Sequence, residues 1–514
     1  MGTGTEVELK FRLPREAWAT LLHHPALVRA ARGRGRTQRL YSVYYDTPEL
    51  DLAKSGIALR LRRDGRRWIQ TVKAEGQVSG ALHRRREWEA PVPDGALDLT
   101  RFDAPELEGL LDAPGVRERL KPVFVTDFLR RRLPLAFDDG TRAELALDWG
   151  EIRADGRGEP LTELELELEA GEARALFALA LELARALALE VEVFSKAERG
   201  LRLAQDLGPP VVKARAPRLD PETSVEDAFR RVLAGCVVQL QGNVEGMRRG
   251  QDPEHLHQMR VALRRARSAL AAFSRAIPKP LTAPVGEELE WLTGELGPAR
   301  DWDVFLAETL PPVLEAFPGH QGLRALQETA QGLRDEAHAR ARDATLGFRY
   351  RGLTLGLGAW LEACSWREGL GEARRRDVQA PVAPFARALL ARRHRRFLKR
   401  GRRHERFSVP ELHRLRIAGK KLRYACEFFA GLFSARAARP YIEALRRLQD
   451  VLGALNDAAV TEALLLQVTA RASDAQVTEG VDLVRDWSLQ QAVRRRRALP
   501  EAWNRFVECE PFWE

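Results

Sequence analysis

Glu6 and Glu8 stand two residues apart near the N-terminus with Lys10 following, and Glu163, Glu165, Glu167 and Glu169 repeat that spacing far downstream. Alternate side chains of a strand share a face. Each segment therefore presents a line of carboxylates on one side and Val7, Leu9, Phe11 or Leu164, Leu166, Leu168 on the other. Taken singly, such an alternation describes a half-exposed strand with its charges in water. The segments between the two carry cationic faces instead. Arg60 and Arg62 share one, Lys73 ends another beside Thr71, and Arg85 alternates with Glu87. Thr126, Phe128 and Arg130 form a further stripe, as do Glu144, Ala146 and Asp148, and Lys196 and Arg199 follow the last strand-like run. Carboxylate oxygens are what a hard divalent ion such as Mg²⁺ or Mn²⁺ requires, and guanidinium and ammonium groups hold phosphate oxygens. Facing each other across a closed sheet, the two sets describe a site for a metal and a polyanion. Phosphoryl transfer asks for little beyond in-line positioning and charge neutralisation, which such a ring supplies. There is no Walker A loop and no Ser-His-Asp or Cys-His set, and His23, His24 and His83 read as surface or packing residues.

The elements that would position these residues fall in two halves. From residue 6 to about 200 the period is two, in segments near 6–13, 40–46, 57–63, 67–74, 82–90, 124–133, 142–150 and 161–169, with Asp64-Gly65, Asp139-Gly140 and Asp155-Gly156 marking tight turns. That number of strands suffices to close a barrel. Helices are expected near 14–23, 104–112 and 171–188. Gly208-Pro209-Pro210 opens a linker over 206–220, after which the period becomes 3.6 and stays there. The expected fold is α+β and multidomain: an N-terminal eight-stranded antiparallel β-barrel tunnel over 1–205, and a C-terminal all-α helical bundle over 221–500.

Glu6-x-Glu8-x-Lys10, Tyr44-Tyr45-Asp46-Thr47, Ala58-Leu59-Arg60-Leu61-Arg62, Thr71-x-Lys73, Leu147-Asp148, the Glu163 to Glu167 ladder and Ser195-Lys196 run in order through the first half. Together they resemble the CYTH domain of triphosphate tunnel metalloenzymes. The resemblance implies a tunnel holding a linear triphosphate and two divalent ions. By position it implies Glu6, Glu8, Glu163 and Glu165, with Asp148 or Glu167, as metal ligands, and Lys10, Arg60, Arg62, Lys73, Arg85, Arg130 and Lys196 as the phosphate grip. Glu6, Glu8, Lys10 and Lys73 would then stand at the reacting centre, and Glu169, at the strand end, in solvent. The Arg84-Arg85-Arg86 run leaves open which arginine faces inward. The expected activity is metal-dependent hydrolysis of inorganic triphosphate to pyrophosphate and phosphate. Thiamine triphosphatase, RNA triphosphatase and class IV adenylyl cyclase belong to the same family, and a non-catalytic polyphosphate receptor is the alternative from another class.

The second half contains a repeat. His257-Gln-Met-Arg260-Val-Ala-Leu-Arg264-Arg265-Ala-Arg267 and His413-Arg-Leu-Arg416-Ile-Ala-Gly-Lys420-Lys421-Leu-Arg423 lie 156 residues apart, and Leu296-Gly297 through Arg300-Asp301 falls on Leu452-Gly453 through Asn456-Asp457 at the same offset. Duplicated units, about 221–375 and 376–500, related by a pseudo-two-fold axis are expected. At 100° per residue His257, Arg260, Arg264 and Arg267 share an arc of about 80°, apart from Met259, Leu263, Ala266 and Leu270. No acidic i+4 partner is apparent along these stripes, which leaves their charge for an external anion, with Asp301, Asp303 and Asp457 as orienting groups. A third basic run extends from Arg392 to Arg403. This half resembles the CHAD domain. The resemblance implies inorganic polyphosphate binding, carried here by His257, Arg260, Arg264, Arg265, Arg267, His413, Arg416, Lys420, Lys421 and Arg423.

Composition agrees with a polyanionic partner. The 514 residues carry a net charge of +10, with 30% charged and 45% hydrophobic residues. No apolar signal region or evident membrane run appears, so a cytoplasmic protein without membrane partners is expected. Cys236, Cys364, Cys426 and Cys509 are too scattered for a zinc site or a disulfide framework. Without a helix-turn-helix or zinc pattern, nucleic-acid binding is expected to be nonspecific at most.

Overall fold

The computed structural model describes residues 2–74, 76–79, 81–102, 115–250, 252–472 and 474–514. The period-two segments become strands β1 (Gly2–Arg12), β2 (Arg36–Asp46), β3 (Ile57–Asp64), β4 (Arg67–Ala74), β5 (Gln77–Ser79), β6 (Leu82–Val92), β7 (Lys121–Ala136), β8 (Arg142–Ala154), β9 (Arg157–Ala170) and β10 (Glu190–Val191). Pairing runs β1-β9-β8-β7-β2-β3-β4-β6, and β6 returns to β1, closing an eight-stranded antiparallel barrel with β5 and β10 as short additions. Register on the β1–β9 seam sets Glu8 against Glu167, Lys10 against Glu165 and Arg12 against Glu163. On the β1–β6 seam Glu6 meets Arg85.

The apolar faces of the strands turn outward. Leu9, Phe11, Leu145, Leu147, Leu164 and Leu166 are buried beneath helix α1 (Ala173–Ala186), which contributes Leu176, Phe177, Ala180 and Leu183. Because the helix satisfies the outer face, the charged face of the alternation is left lining the lumen. Helix α2 (Lys196–Ala204) opens on a capping box between Ser195 and Glu198 and lies over β7, β8 and β9. It approaches so closely that a Cβ at Gly200 would stand 2.1 Å from the Phe124 ring. The expected helix near 14–23 is a 3₁₀ turn, Arg15–Ala17, followed by Trp18–Leu22. The one expected at 104–112 lies outside the described residues. Asp46 of the Tyr-Tyr-Asp-Thr segment is buried and accepts backbone hydrogen bonds from Thr47 (2.7 Å), Leu52 (2.9 Å) and Ala53 (3.0 Å). That motif residue fixes a turn and makes no contact with the lumen charges.

The second half is helical: α3 (Val225–Gln241), α4 (Pro253–Phe273), α5 (Lys279–Val304), α6 (Gln321–Leu346), α7 (Phe348–Ala363), α8 (Val382–Gly401), α9 (Val409–Phe429), α10 (Ala435–Arg471) and α11 (Ala475–Arg496), with shorter turns between. The 156-residue offset holds in three dimensions, since α4 and α9 start and end that far apart. Phe229 and Phe273 from the first repeat cluster with Phe385 and Phe429, their offset counterparts, at ring separations of 5.2 Å (Phe229–Phe273), 5.7 Å (Phe273–Phe429) and 6.3 Å (Phe385–Phe429). Helix α10 is long and apolar enough to cross a membrane by length and composition, which the sequence reading passed over. Its Leu445, Leu448, Leu452 and Leu465 are buried, and it packs on α9 and α11.

The chain separates into two compact units, and the linker is only the first place where it passes between them. One unit is Met1–Pro210 with Leu346–Ser365, the other Val211–Thr345 with Trp366–Glu514. Helix α7, from the helical half of the sequence, packs on α1 of the barrel unit. Its Leu355 is fully buried in the barrel's outer core, a Cβ at Gly358 would stand 2.7 Å from the Phe177 ring, and Glu362 pairs with Arg84.

Candidate functional site

The barrel encloses a cavity of about 290 Å³ whose lining includes Glu6, Glu8, Lys10, Arg60, Arg62, Lys73, Arg85, Arg130, Glu165, Glu167 and Lys196. The register of β6 is thereby resolved: Arg85 faces the lumen, while Arg84 points outward to Glu362. Asp148 and Glu163, assigned as metal ligands from the sequence, do not line this cavity. Both are fully buried. Arg130 donates to the two oxygens of Asp148 at 2.7 and 2.6 Å, and Lys196 lies 2.9 Å from Asp148 while also pairing with Glu163. Arg199 binds Glu163 and reaches Glu159 at 2.7 Å. The carboxylate atoms of Asp148, Glu163 and Glu165 approach within 4.8 Å of one another, yet cations from α2 and β7 already interleave them. The open ladder lies further along β9. Glu169, expected in solvent, lines the cavity with Glu165 and Glu167.

Two poles of opposite charge result. At the acidic pole, burial pushes the Glu6 carboxyl up, but the Lys73 ammonium at 2.7 Å outweighs it and holds the group at about 2. Burial raises Glu8 despite Lys10 at 3.0 Å. Burial, followed by repulsion from Glu6, Glu165 and Glu8, pushes Glu167 up to about 7. Glu165, also buried, is held well below the usual range by Lys196, Arg130 and Lys10. Glu6, Glu8, Glu165 and Glu167 therefore bring four carboxylates to one lumen with their mutual repulsion incompletely offset. That fits a hard divalent cation. At the cationic pole, Arg60 is 3.2 Å from Glu87 and 3.7 Å from Glu89, but its buried Nε has no hydrogen-bond partner. Among the described residues Arg62 pairs with no carboxylate. Burial, then Arg60 and Arg130, push it down to about 10. Arg60 and Arg62 also hold the buried Tyr44 hydroxyl below its usual range against the effect of burial.

Sequence reasoning missed Tyr44, Glu89 and Arg132 as lumen residues and left Glu87 and Glu144 as stripe members without a role. Alternation from Arg85, Arg130 and Asp148 identifies all but Tyr44. His83, on β6, is fully buried with Nε2 3.1 Å from the Glu192 carbonyl oxygen, and burial beside Lys10 and Arg85 pushes its pKa far down.

In the helical unit the basic stripes of α4 and α9 converge. Arg264 of the first repeat lies close enough to Arg416 and Lys420 of the second to lower both pKa values, and burial, then Arg416, Arg264 and Arg423, bring Lys420 down to about 7. The Nε atoms of Arg264, Arg416 and Arg423 are buried without hydrogen-bond partners. His257 is lowered by burial and then by Arg300. Several expectations need correcting. Arg265 is buried, paired with Glu427 and 5.1 Å from the Phe428 ring centroid, so its charge is spent inside the unit. Lys421, one residue past Lys420 and so about 100° round the helix, faces a different groove. Acidic partners do exist: Glu427 is i+4 from Arg423 at 3.7 Å, Arg260 meets Asp301 at 3.0 Å, and Arg267 meets Glu290 at 3.0 Å. Asp303 orients none of the stripe; it accepts hydrogen bonds from Arg334 (2.7 Å) and His338 (2.8 Å). His413 is exposed on its helix.

Residues 4–201 match the family model of the CYTH domain, and residues 231–466 match that of the CHAD domain. The chain carries a CYTH domain followed by a CHAD domain. The CHAD unit is similar to the crystal structure of the CHAD domain from the plant Ricinus communis, with 34% identity and a TM-score of 0.52 over 59% of this chain and 98% of that one. The chain is also similar to an inorganic triphosphatase of Haemophilus influenzae, with 32% identity over 127 residues. That match spans 24% of this chain and about a third, 35%, of the relative's length.

Proposed function

We propose that the CYTH tunnel hydrolyses inorganic triphosphate to pyrophosphate and phosphate with the help of Mg²⁺ or Mn²⁺. The observation that carries this reading is the pairing of two uncompensated poles in one lumen: Glu167 crowded by carboxylates on one side, Arg62 without a carboxylate on the other. A dication answers the first and a phosphate chain the second. Arg60, Arg62 and Arg85 hold the chain's oxygens, and Lys73 and Lys10 keep the carboxylates of Glu6 and Glu8 in place. Glu6, Glu8, Glu165 and Glu167 hold the metal, which when bound supplies charge neutralisation and a water of lowered pKa. Attack of water on the terminal phosphorus, opposite the bridging oxygen, breaks that P–O bond and releases pyrophosphate. The Haemophilus similarity supports the substrate class. The test is phosphate release from triphosphate, thiamine triphosphate, ATP and long-chain polyphosphate with each ion, for the native chain and Glu8→Ala. No metal-dependent release from any of them overturns the hydrolase in favour of a binding-only tunnel.

The converged stripes of the CHAD unit support a second role, binding of inorganic polyphosphate. Two guanidinium Nε donors buried without hydrogen-bond partners, on Arg264 and Arg416, are groups that phosphate oxygens would satisfy. Arg260→Ala with Arg416→Ala should weaken polyphosphate binding and leave triphosphate turnover intact; the opposite pattern contradicts this division.

A further inference from the structure

Where the two repeats of the helical unit depart from their pseudo-two-fold relation, they leave a cationic groove distinct from the converged stripes. In the first repeat Arg265 is neutralised by Glu427 of the second. The offset counterparts of that pair are Lys421 and Ala271, so the position that corresponds to the carboxylate carries a methyl group. Both line a groove of about 750 Å³ with Arg392, Arg393, Arg396, Lys399 and Arg400 of α8, and Arg275 beyond the end of α4. No carboxylate lines this groove, and among the described residues none of these cations has a carboxylate partner. The same offset shows what was replaced: Arg392, Arg393 and Arg396 occupy positions held in the first repeat by Cys236, Val237 and Leu240, all buried. A face that one repeat packs as core has become arginine in the other without gaining an internal counterion. Burial together with Arg392 depresses Arg393 to about 10, which shows how poorly the cluster is compensated.

We propose that this groove is a second binding site of the helical unit, taking a linear phosphate chain. Charge density selects the ligand class. From Arg392 to Arg400 the helix advances only about 12 Å, and an acidic helix offers one face of carboxylates at about one per 5.4 Å turn. A single nucleic-acid strand already carries one charge per about 3.4 Å, and an inorganic chain, with a charge on every phosphorus and no sugar between them, is denser still and matches the groove's cations better. The floor is Ala271, Phe397, Ile417 and Ala418, and Phe397 is 1% exposed, so no aromatic face is offered for stacking a base. That favours an inorganic chain over a nucleic acid. The site does not depend on the stripe of Arg260 and Arg416, and a chain long enough to occupy both gains avidity that a short one lacks.

The test uses the full chain, with Arg260→Gln/Arg416→Gln as a background that reports on the stripe separately. Two groove variants are compared in it. Arg396→Gln/Lys399→Gln/Arg400→Gln removes three exposed cations. Ala271→Glu, at an exposed position, recreates the missing partner of Lys421 and so closes the groove without deleting a cation. Binding of labelled long-chain polyphosphate, oligothymidylate and poly-L-glutamate is measured by anisotropy across a salt series. The expected result is a loss of about tenfold or more for polyphosphate in both variants, with the salt slope of the triple variant reduced by about 2–3. A parallel loss for oligothymidylate supports a phosphate-chain site open to nucleic acid as well. Unchanged affinity and slope in both variants, or an equal loss for poly-L-glutamate, overturns the proposal.

Discussion

Glu8 lies directly opposite Glu167 across the β1–β9 ladder, two rungs from the Lys10–Glu165 pair, so an opposed pair of carboxylates adjoins a cation–carboxylate pair on the same face of one seam. Like charges opposed in a ladder are unfavourable, and here burial adds to the cost. The arrangement is stable to the extent that protons or a metal occupy it.

The sign of the pH dependence follows. With Glu167 near 7, its carboxyl is protonated below that pH and a divalent ion must displace the proton; above it, the carboxylate is already available. Metal affinity should rise between pH 6 and pH 8 with release of up to one proton, read by calorimetry in buffers of different ionisation enthalpy. Glu167→Gln should flatten the profile and weaken binding by about tenfold or more.

Arg62 trades stability for binding. Buried among Arg60 and Arg130 without a carboxylate partner, it is electrostatically unfavourable in the empty tunnel. Arg62→Met should therefore leave thermal stability unchanged or raise it, while lowering kcat/KM for triphosphate by about 10–100-fold. A variant that loses both together would show Arg62 to be structural.

Lys196 is the opposite case. It sits among Asp148, Glu163 and Glu165, and Lys196→Met would leave buried carboxylates short of a counterion. A loss of about 3–5 kcal/mol at neutral pH is expected from denaturant titration. The deficit should shrink as pH falls, because the orphaned carboxyls take up protons.

Lys420 offers a pH handle on the helical unit. Its ammonium, brought to about 7 by burial and three arginines, is neutral above that pH and charged below it. Polyphosphate affinity should rise as pH falls from 8 to 6, with proton uptake on binding at pH 8. Lys420→Arg should remove the pH dependence, since guanidinium stays charged throughout.

The barrel was legible because period two repeats in every strand: seven of the eight expected segments fall within a barrel strand and the first, 6–13, overruns its strand by one residue, while Arg60, Arg62, Lys73, Glu165 and Glu167 all face the lumen. Depth along a strand was not legible. Glu163 and Glu169 occupy the same face of β9, and only the tertiary placement of α2 decides that Lys196 and Arg199 cover the first and leave the second open. The helical repeat gave pseudo-symmetry directly, but Arg264 and Arg265 differ by one step of 100°, enough to send one to the converged stripes and the other into a buried pair with Glu427. Partners from other helices, such as Asp301 for Arg260, carry no signal at i+4 spacing.

Helix α7 bears on the order in which the chain acquires structure during synthesis. All eight barrel strands have been synthesised once residue 170 is made, yet the outer face of α1 waits for Leu355 and Gly358, and Arg84 waits for Glu362. A nascent chain stalled in between carries a finished tunnel with a bare apolar flank. Domains generally fold as they emerge, and exposed apolar surface at that stage invites aggregation. The barrel half is therefore bound to the helical half by its own vectorial folding, and a gene fragment ending at the linker should yield a protein that needs a chaperone or a supplied α7 peptide to stay in solution.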